Sequence, residues 1–143
     1  MLISDVLKAK GDVVFTASPN ETIAAIAALL LARRVGAMVV VEGDRDVVGI
    51  VAERDVVRVV AEEGGGGLSR PVSHCMTRDV VFAGPNESVN ALLERMTDRR
   101  IRHMPVCENG RLIGIVSIGD LVKSKIQETE AEAEGLRAYI HAA

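Results

Sequence analysis

The chain contains two copies of one sequence pattern, and this duplication limits its fold more than any other feature. A shift of 66 residues places Pro-Asn-Glu-Thr-Ile at 19–23 on Pro-Asn-Glu-Ser-Val at 85–89. A shift of 65 residues places Gly-Ile-Val at 49–51 on Gly-Ile-Val at 114–116. The change of shift falls in a turn, which occupies residues 43–46 in the first copy. Because turns absorb insertions at little cost, the pattern indicates a tandem repeat.

Each repeat predicts the same order of elements, β-α-β-β-α. The predicted strands are residues 13–16, 37–41 and 47–51 in the first repeat and 80–82, 104–107 and 112–116 in the second. A capping box from Ser18 to Glu21 predicts the start of the first helix, with Asn20 as the alternative cap. A second helix starts near Glu53 and near Ile118. Because the strands are continuously apolar, we expect both sheet faces to be covered and the repeats to pack through their sheets.

Composition is typical of a folded, weakly acidic protein. The 143 residues are 48% hydrophobic and 26% charged, and 17 Lys and Arg stand against 20 Asp and Glu. This balance and the 2% aromatic content argue against a nucleic-acid binder, which needs basic and stacking surfaces. No apolar run is long enough for a membrane span, and the first residues do not form a signal peptide. We therefore expect a cytoplasmic protein with no membrane partner.

The sequence favours neither a metal site nor catalysis. The spacing of His74, Cys75, His103 and Cys107 matches no zinc pattern. With three histidines in the chain, no set of nucleophile, base and acid is visible. We therefore predict that the protein is not an enzyme and requires no cofactor.

The repeat also predicts how the chain is divided. We expect an N-terminal helical lead-in (1–12), a first repeat (13–63), a flexible Gly-rich connector (64–77), a second repeat (78–126) and a C-terminal helical extension (127–143).

Three motifs in this order resemble the CBS domain, named after cystathionine β-synthase. They are the Pro-Asn-Glu-Thr/Ser helix start, the Arg-His-Met-Pro-Val strand at 102–106, and Gly-Ile-Val-Ser-Ile-Gly-Asp at 114–120. The resemblance covers nearly all of residues 13–126 and implies an α+β fold, a Bateman module of two repeats about a pseudo-two-fold axis. It implies clefts that bind AMP, ADP, ATP, NAD or S-adenosylmethionine, and regulation of a protein partner. It also implies a homodimer.

The strand-to-helix junction of the second repeat is the main candidate site. A helix N-terminus attracts anions, and the Ser117 hydroxyl and Asp120 carboxylate lie at this one. By resemblance, Asp120 binds the ribose hydroxyls and Ser117 contacts phosphate or ribose. From the residues alone, a capping box that needs no ligand is the simpler interpretation of the pair. The first repeat keeps Asp55 but has Ala52 in place of the serine, which predicts a weaker, different or empty cleft.

A second group of candidates lies on the first two strands of the second repeat. By resemblance, Met104 and Pro105 contact adenine, while Val80 and Val81 form the opposite wall. The candidates for neutralising phosphate are Arg100, Arg102 and His103. For Arg100 and its neighbour Arg99, a basic helix end is the simpler interpretation. The others have no counterpart in the first repeat, which predicts one preferred anionic site, on the Ser117 side.

The last helix carries an apolar seam with heptad spacing. The seam consists of Val122, Ile126, Thr129, Ala133, Leu136 and Ile140. Two interpretations remain open, a helix folded back on its own module and a contact between two subunits. The second leads to an alternative function, a ligand-free scaffold that dimerises through this helix.

Overall fold

The computed structural model describes residues 1–11, 13–43 and 46–142, and it contains the predicted tandem order of elements. The helices are α1 (Ile3–Lys10), α2 (Ile23–Arg33), α3 (Glu53–Glu63), α4 (Val89–Arg99) and α5 (Ile118–Ala142). The strands are β1 (Thr16–Ala17), β2 (Ala37–Glu42), β3 (Asp46–Ala52), β4 (His103–Glu108) and β5 (Arg111–Ser117). The first repeat is longer than the second at the turn over residues 43–46, and Asp44 and Arg45 of this turn lie outside the described residues.

Each repeat forms a small sheet around an antiparallel hairpin. In the first, β1 pairs in parallel with β2, and β2 pairs with β3. In the second, β4 pairs with β5, and Ala83 forms a parallel bridge to Val106. The first strand of the first repeat is therefore shorter than the predicted strand at 13–16 and starts later. In the second repeat, the predicted strand at 80–82 is replaced by the single bridge at Ala83. The hairpin turn that Asn109-Gly110 predicts is confirmed, with positive φ angles of 52° and 77°.

The first helix of each repeat starts later than the Ser18 to Glu21 capping box predicts. That box closes a turn instead, in which the Ser18 amide donates to the Glu21 carboxylate at 2.8 Å. The helix cap is Thr22, whose hydroxyl accepts from the Ala25 amide at 3.1 Å. Ser88 has the same role in α4. Predicting the cap at Ser18 or Asn20 was wrong because the turn uses Glu21 before the helix begins.

Two separate apolar cores hold the repeats, and each is completed by a segment outside the predicted boundaries. The first contains Val72, Cys75 and Met76 from the predicted connector. The second contains Ile3 and Leu7 from the N-terminal helix. The two segments occupy equivalent places, because the Ile3 amide donates to the Glu87 carbonyl and the Val72 amide to the Glu21 carbonyl. The repeating unit thus includes these lead-in segments.

The two sheets face each other across the middle of the molecule. Side chains alternate along β2, so Met38 and Val40 enter the first core while Ala37 and Val39 point the other way. Val39 is nevertheless fully buried. The second repeat covers this face, as the continuous apolar runs predict.

The Gly-rich segment and the last helix differ in their packing. The glycine run forms a 3-10 helix over Gly65–Ser69, and Gly67 is buried so closely that a Cβ there would lie 2.7 Å from Val59.

In α5, Leu121 is fully buried, whereas residues 129–142 are exposed. The extension therefore does not fold back on its own module. None of the described helices is long and apolar enough to cross a membrane.

Candidate functional site

Among the cavities that the described residues form between the repeats, two contain the candidate aspartates, and each of these combines an aspartate from one repeat with a wall from the other. The Asp120 cleft has a volume of about 380 Å³, and the Asp55 cleft about 290 Å³. These volumes are at the lower end of the range for small-molecule sites. The Asp120 cleft is walled by Val13, Phe15 and Ala37 of the first repeat. The Asp55 cleft is walled by Val80, Val81 and Pro105 of the second repeat.

Asp120 serves as a helix cap and also forms an ion pair inside its cleft. Its Oδ2 accepts from the Ser117 amide at 2.9 Å, and the Asp120 amide donates to Ser117 Oγ at 3.1 Å. The capping box left open by the sequence is therefore present. The same Oδ2 lies 2.6 Å from Lys10 Nζ, which also donates to the Ile115 carbonyl at 2.8 Å. Asp120 Oδ1 makes no hydrogen bond with the described residues and remains open to a ligand.

These contacts keep Asp120 ionised. Burial by itself would raise its pKa, since the side chain is only 26% exposed. Hydrogen bonds from Lys10 and the Ser117 amide outweigh burial, so the pKa lies below its ordinary value. The cleft therefore offers a carboxylate acceptor beside the Lys10 ammonium, a donor suited to phosphate.

Asp55 has a similar place in the first repeat but different partners. Its Oδ2 accepts from the Ala52 amide at 2.8 Å, and its Oδ1 pairs with Arg58 Nη1 at 3.1 Å. Both oxygens are thus bound by residues of the same repeat, and the side chain is only 8% exposed. Asp55 is therefore less available to a ligand than Asp120.

The arginines are concentrated at the Asp55 cleft, contrary to the predicted anionic site beside Ser117. The cleft is lined by Arg54, Arg58, Arg100 and Arg102. The guanidinium groups are therefore concentrated on the Asp55 side. The prediction differs because it joined Arg102 to Ser117 through their shared repeat, whereas the clefts draw their walls from opposite repeats.

His103 lines both clefts. Its ring approaches the first repeat at Gly36, where a Cβ would lie 2.9 Å from His103 Nε2. The pKa of His103 is lowered, first by burial and then by the Lys10 charge. The environment at the junction between the clefts thus favours the neutral form of the imidazole.

The predicted site residues fall into three groups. Ser117 and Asp120 line one cleft. Val80, Val81, Arg102 and Pro105 line the other cleft with Asp55. Met104 lines neither of these two, because its side chain is fully buried in the second core. Arg99 also lines neither, while Arg100 lies in the Asp55 cleft.

Most of the other residues that line the Asp120 cleft were not predicted, and Lys10, Phe15 and Arg34 are among them. Phe15 forms the apolar wall, and the Arg33 guanidinium lies 4.1 Å from its ring centroid. A signal for Phe15 exists, because Val80 and Val81 were identified as a wall and Val14 and Phe15 occupy the matching positions. Lys10 has no matching residue type in the second repeat.

The clefts are suited to binding a polar ligand with an apolar face. Each has an apolar wall and cationic groups, and the Asp120 cleft has one carboxylate whereas the Asp55 cleft also contains Asp79. Within the described part of the chain, no group of three or more His, Cys, Asp and Glu side chains could hold a metal ion.

Known proteins share this architecture. The CBS domain family model matches residues 3–62 and 72–126. A mitochondrial CBS domain-containing protein of Arabidopsis thaliana is 35% identical, over 96% of this chain and 71% of the relative. A crystal structure of a CBS-domain containing protein from Agrobacterium tumefaciens is 45% identical, with a TM-score of 0.86 over 87% of this chain and 99% of that one. A CBS domain protein from Pyrobaculum aerophilum, complexed with AMP, is 28% identical, with a TM-score of 0.74 over 84% and 89%. The chain, with its two repeats and crosswise clefts, therefore belongs to the CBS domain family.

Proposed function

We propose that this protein is a regulatory module that binds an adenosine-containing ligand between its repeats and passes the binding event to a protein partner. The candidate ligands are AMP, ADP, ATP, NAD and S-adenosylmethionine. The observation that carries the proposal is the Asp120 cleft, where an ionised carboxylate with one open oxygen faces the apolar wall that includes Phe15. The AMP complex of the related Pyrobaculum aerophilum protein supports the ligand class.

Each part of such a ligand has a complementary group in the Asp120 cleft. The Asp120 carboxylate accepts from the ribose hydroxyls through Oδ1, and the base lies against Phe15 and Val13. The Lys10 ammonium and the Arg34 guanidinium supply positive charge for phosphate. In the Asp55 cleft, the arginines favour a ligand with more phosphate charge.

A ligand shifts the module only through its different affinities for two arrangements of the repeats. Because each cleft is built from both repeats, a bound nucleotide bridges them and favours one arrangement. We propose that a homodimer in the cytoplasm presents this arrangement to the partner, with no catalysis by the chain itself.

Thermal unfolding with a panel of the five ligands tests the proposal. At a hundredfold excess over the dissociation constant, a bound ligand adds about 2.7 kcal/mol to the free energy of unfolding. We expect at least one ligand to raise the melting temperature and Asp120→Asn to abolish the rise. Asp5→Asn is the matched control, because Asp5 also accepts from a helix-cap amide but lies outside both clefts. A rise lost only in Asp55→Asn would assign the ligand to the other cleft.

The second candidate function is a ligand-free scaffold that dimerises through the last helix. The exposed seam on α5 favours it, because Ile126, Leu136 and Ile140 are more than half exposed. Melting temperatures that do not respond to any ligand, together with a stable dimer, would replace the sensor proposal by this one.

A further inference from the structure

We propose that α5 pairs with α5 of a second copy as a parallel, in-register coiled coil. This rests on the proposed homodimer and adds its surface and orientation. The seam defined above turns away from its own module. Leu121 and Ser124, the buried residues of α5, lie on the opposite side of the helix from Val122 and Ile126. A helix face of this kind needs an apolar partner.

The seam residues favour two parallel strands. In the heptad register, Ile126, Ala133 and Ile140 occupy a positions, and Val122, Thr129 and Leu136 occupy d positions. β-branched residues at a and leucine at d favour parallel dimers, and Ile126, Ile140 and Leu136 fit this pattern. The polar seam residue is satisfied within its own helix, because Thr129 Oγ1 donates to the Lys125 carbonyl at 2.9 Å.

The charges beside the seam determine the orientation. In a parallel pair, each g residue faces the e residue five positions later on the partner. Lys125 then faces Glu130, and Glu132 faces Arg137, so every charged pair attracts. None of these four side chains has an ion-pair partner among the described residues.

The antiparallel arrangement lacks this complementarity. There e residues face e residues and g residues face g residues. Lys123 then meets Arg137, and Glu130 and Glu132 each meet their own copies near the centre. Like charges would therefore oppose antiparallel pairing.

Charge-reversing substitutions in the full chain test the orientation. Sedimentation at several protein concentrations measures how strongly each variant self-associates. We expect Lys125→Glu and Glu130→Lys each to weaken self-association about ten-fold, because each turns attraction into repulsion at both edges of the coil. A mixture of the two variants should form a heterodimer preferentially, since each edge then pairs Glu with Lys or Lys with Glu. Combining both substitutions in one chain should restore self-association. Lys123→Glu is the matched control, because its parallel partner position is the uncharged Ile118.

The outcomes separate this inference from the functional proposals. A stable dimer that Lys125→Glu and Glu130→Lys leave unchanged would overturn the coiled coil while the homodimer stands. A chain that stays monomeric at all concentrations would overturn both. Neither result affects the thermal response to nucleotides, which tests the sensor proposal by itself.

Discussion

The Lys10 ammonium lies 2.6 Å from Asp120 Oδ2, and this ion pair connects the N-terminal helix with the start of the last one. Both side chains are about one-third exposed or less. The ion pair places a cation beside the carboxylate that we propose to bind ribose. We therefore expect Lys10 to compete with a ribose hydroxyl for Oδ2 and to attract a ligand phosphate.

Replacing Lys10 should change which ligands the Asp120 cleft prefers. Lys10→Met keeps the length of the side chain but removes the charge. We expect the ratio of AMP affinity to adenosine affinity to fall about ten-fold, the effect of one charge-assisted hydrogen bond. Titration calorimetry with both ligands measures the ratio. Lys8→Met is the control, because Lys8 lies on the same helix and outside both clefts. An unchanged ratio would show that Lys10 does not contact the phosphate.

His103 should make stability depend on pH in the mildly acidic range. Its folded-state pKa is below the ordinary value of 6.5, so the unfolded chain binds the proton more readily. The stabilisation is full above the unfolded-state pKa, about 6.5, and is lost as the pH falls towards the folded-state pKa. Urea unfolding between neutral and mildly acidic pH should show this loss in wild type and not in His103→Gln. Parallel pH curves for the two proteins would contradict it.

The two helix caps at the clefts should differ in their contribution to stability. Ser117→Ala removes the hydroxyl that accepts from the Asp120 amide, and we expect a loss of about 1 kcal/mol in the free energy of unfolding. Ala52→Ser supplies the missing hydroxyl at the start of α3, and we expect a gain of up to about 1 kcal/mol. Urea denaturation measures both. A loss in Ala52→Ser would mean that the Asp55 cleft has no room for the hydroxyl.

The N-terminal helix should behave as part of the second repeat. Ile3 is fully buried in the second core, so Ile3→Ala should lower the free energy of unfolding by about 2–5 kcal/mol. Leu2→Ala, at an exposed neighbouring position, should change it by less than about 0.5 kcal/mol. If chemical denaturation showed equally small changes for both variants, the N-terminal helix would not be part of the second core.

Local patterns predict the elements of this fold well. The helix starts at Glu53 and Ile118 and the Asn109-Gly110 turn depend on neighbouring residues, and they are confirmed. The order β-α-β-β-α is confirmed as well, although the first strand of the second repeat is reduced to a bridge at Ala83. The Ser18 to Glu21 box failed because two local hydrogen-bonding arrangements compete there. The turn before the helix takes Glu21, which leaves Thr22 as the cap.

The grouping of the site residues could not be read from spacing. Val80, Arg102 and Asp120 belong to the same repeat, yet the packing of the repeats places the first two in the Asp55 cleft. Lys10 was missed for a related reason. It reaches Asp120 because α1 packs on the second repeat, and that contact spans 110 positions of the chain.

Each cleft takes its aspartate from one repeat and its facing wall from the other, so neither repeat by itself forms a complete binding site. A chain with one repeat would supply a carboxylate without its facing wall, and it could enclose a nucleotide only after meeting another such chain. Because the two repeats are joined in one chain, they meet intramolecularly, and the formation of the clefts does not depend on the protein concentration. It also allows the two clefts to differ, and here one contains Lys10 beside its aspartate while the other contains four arginines.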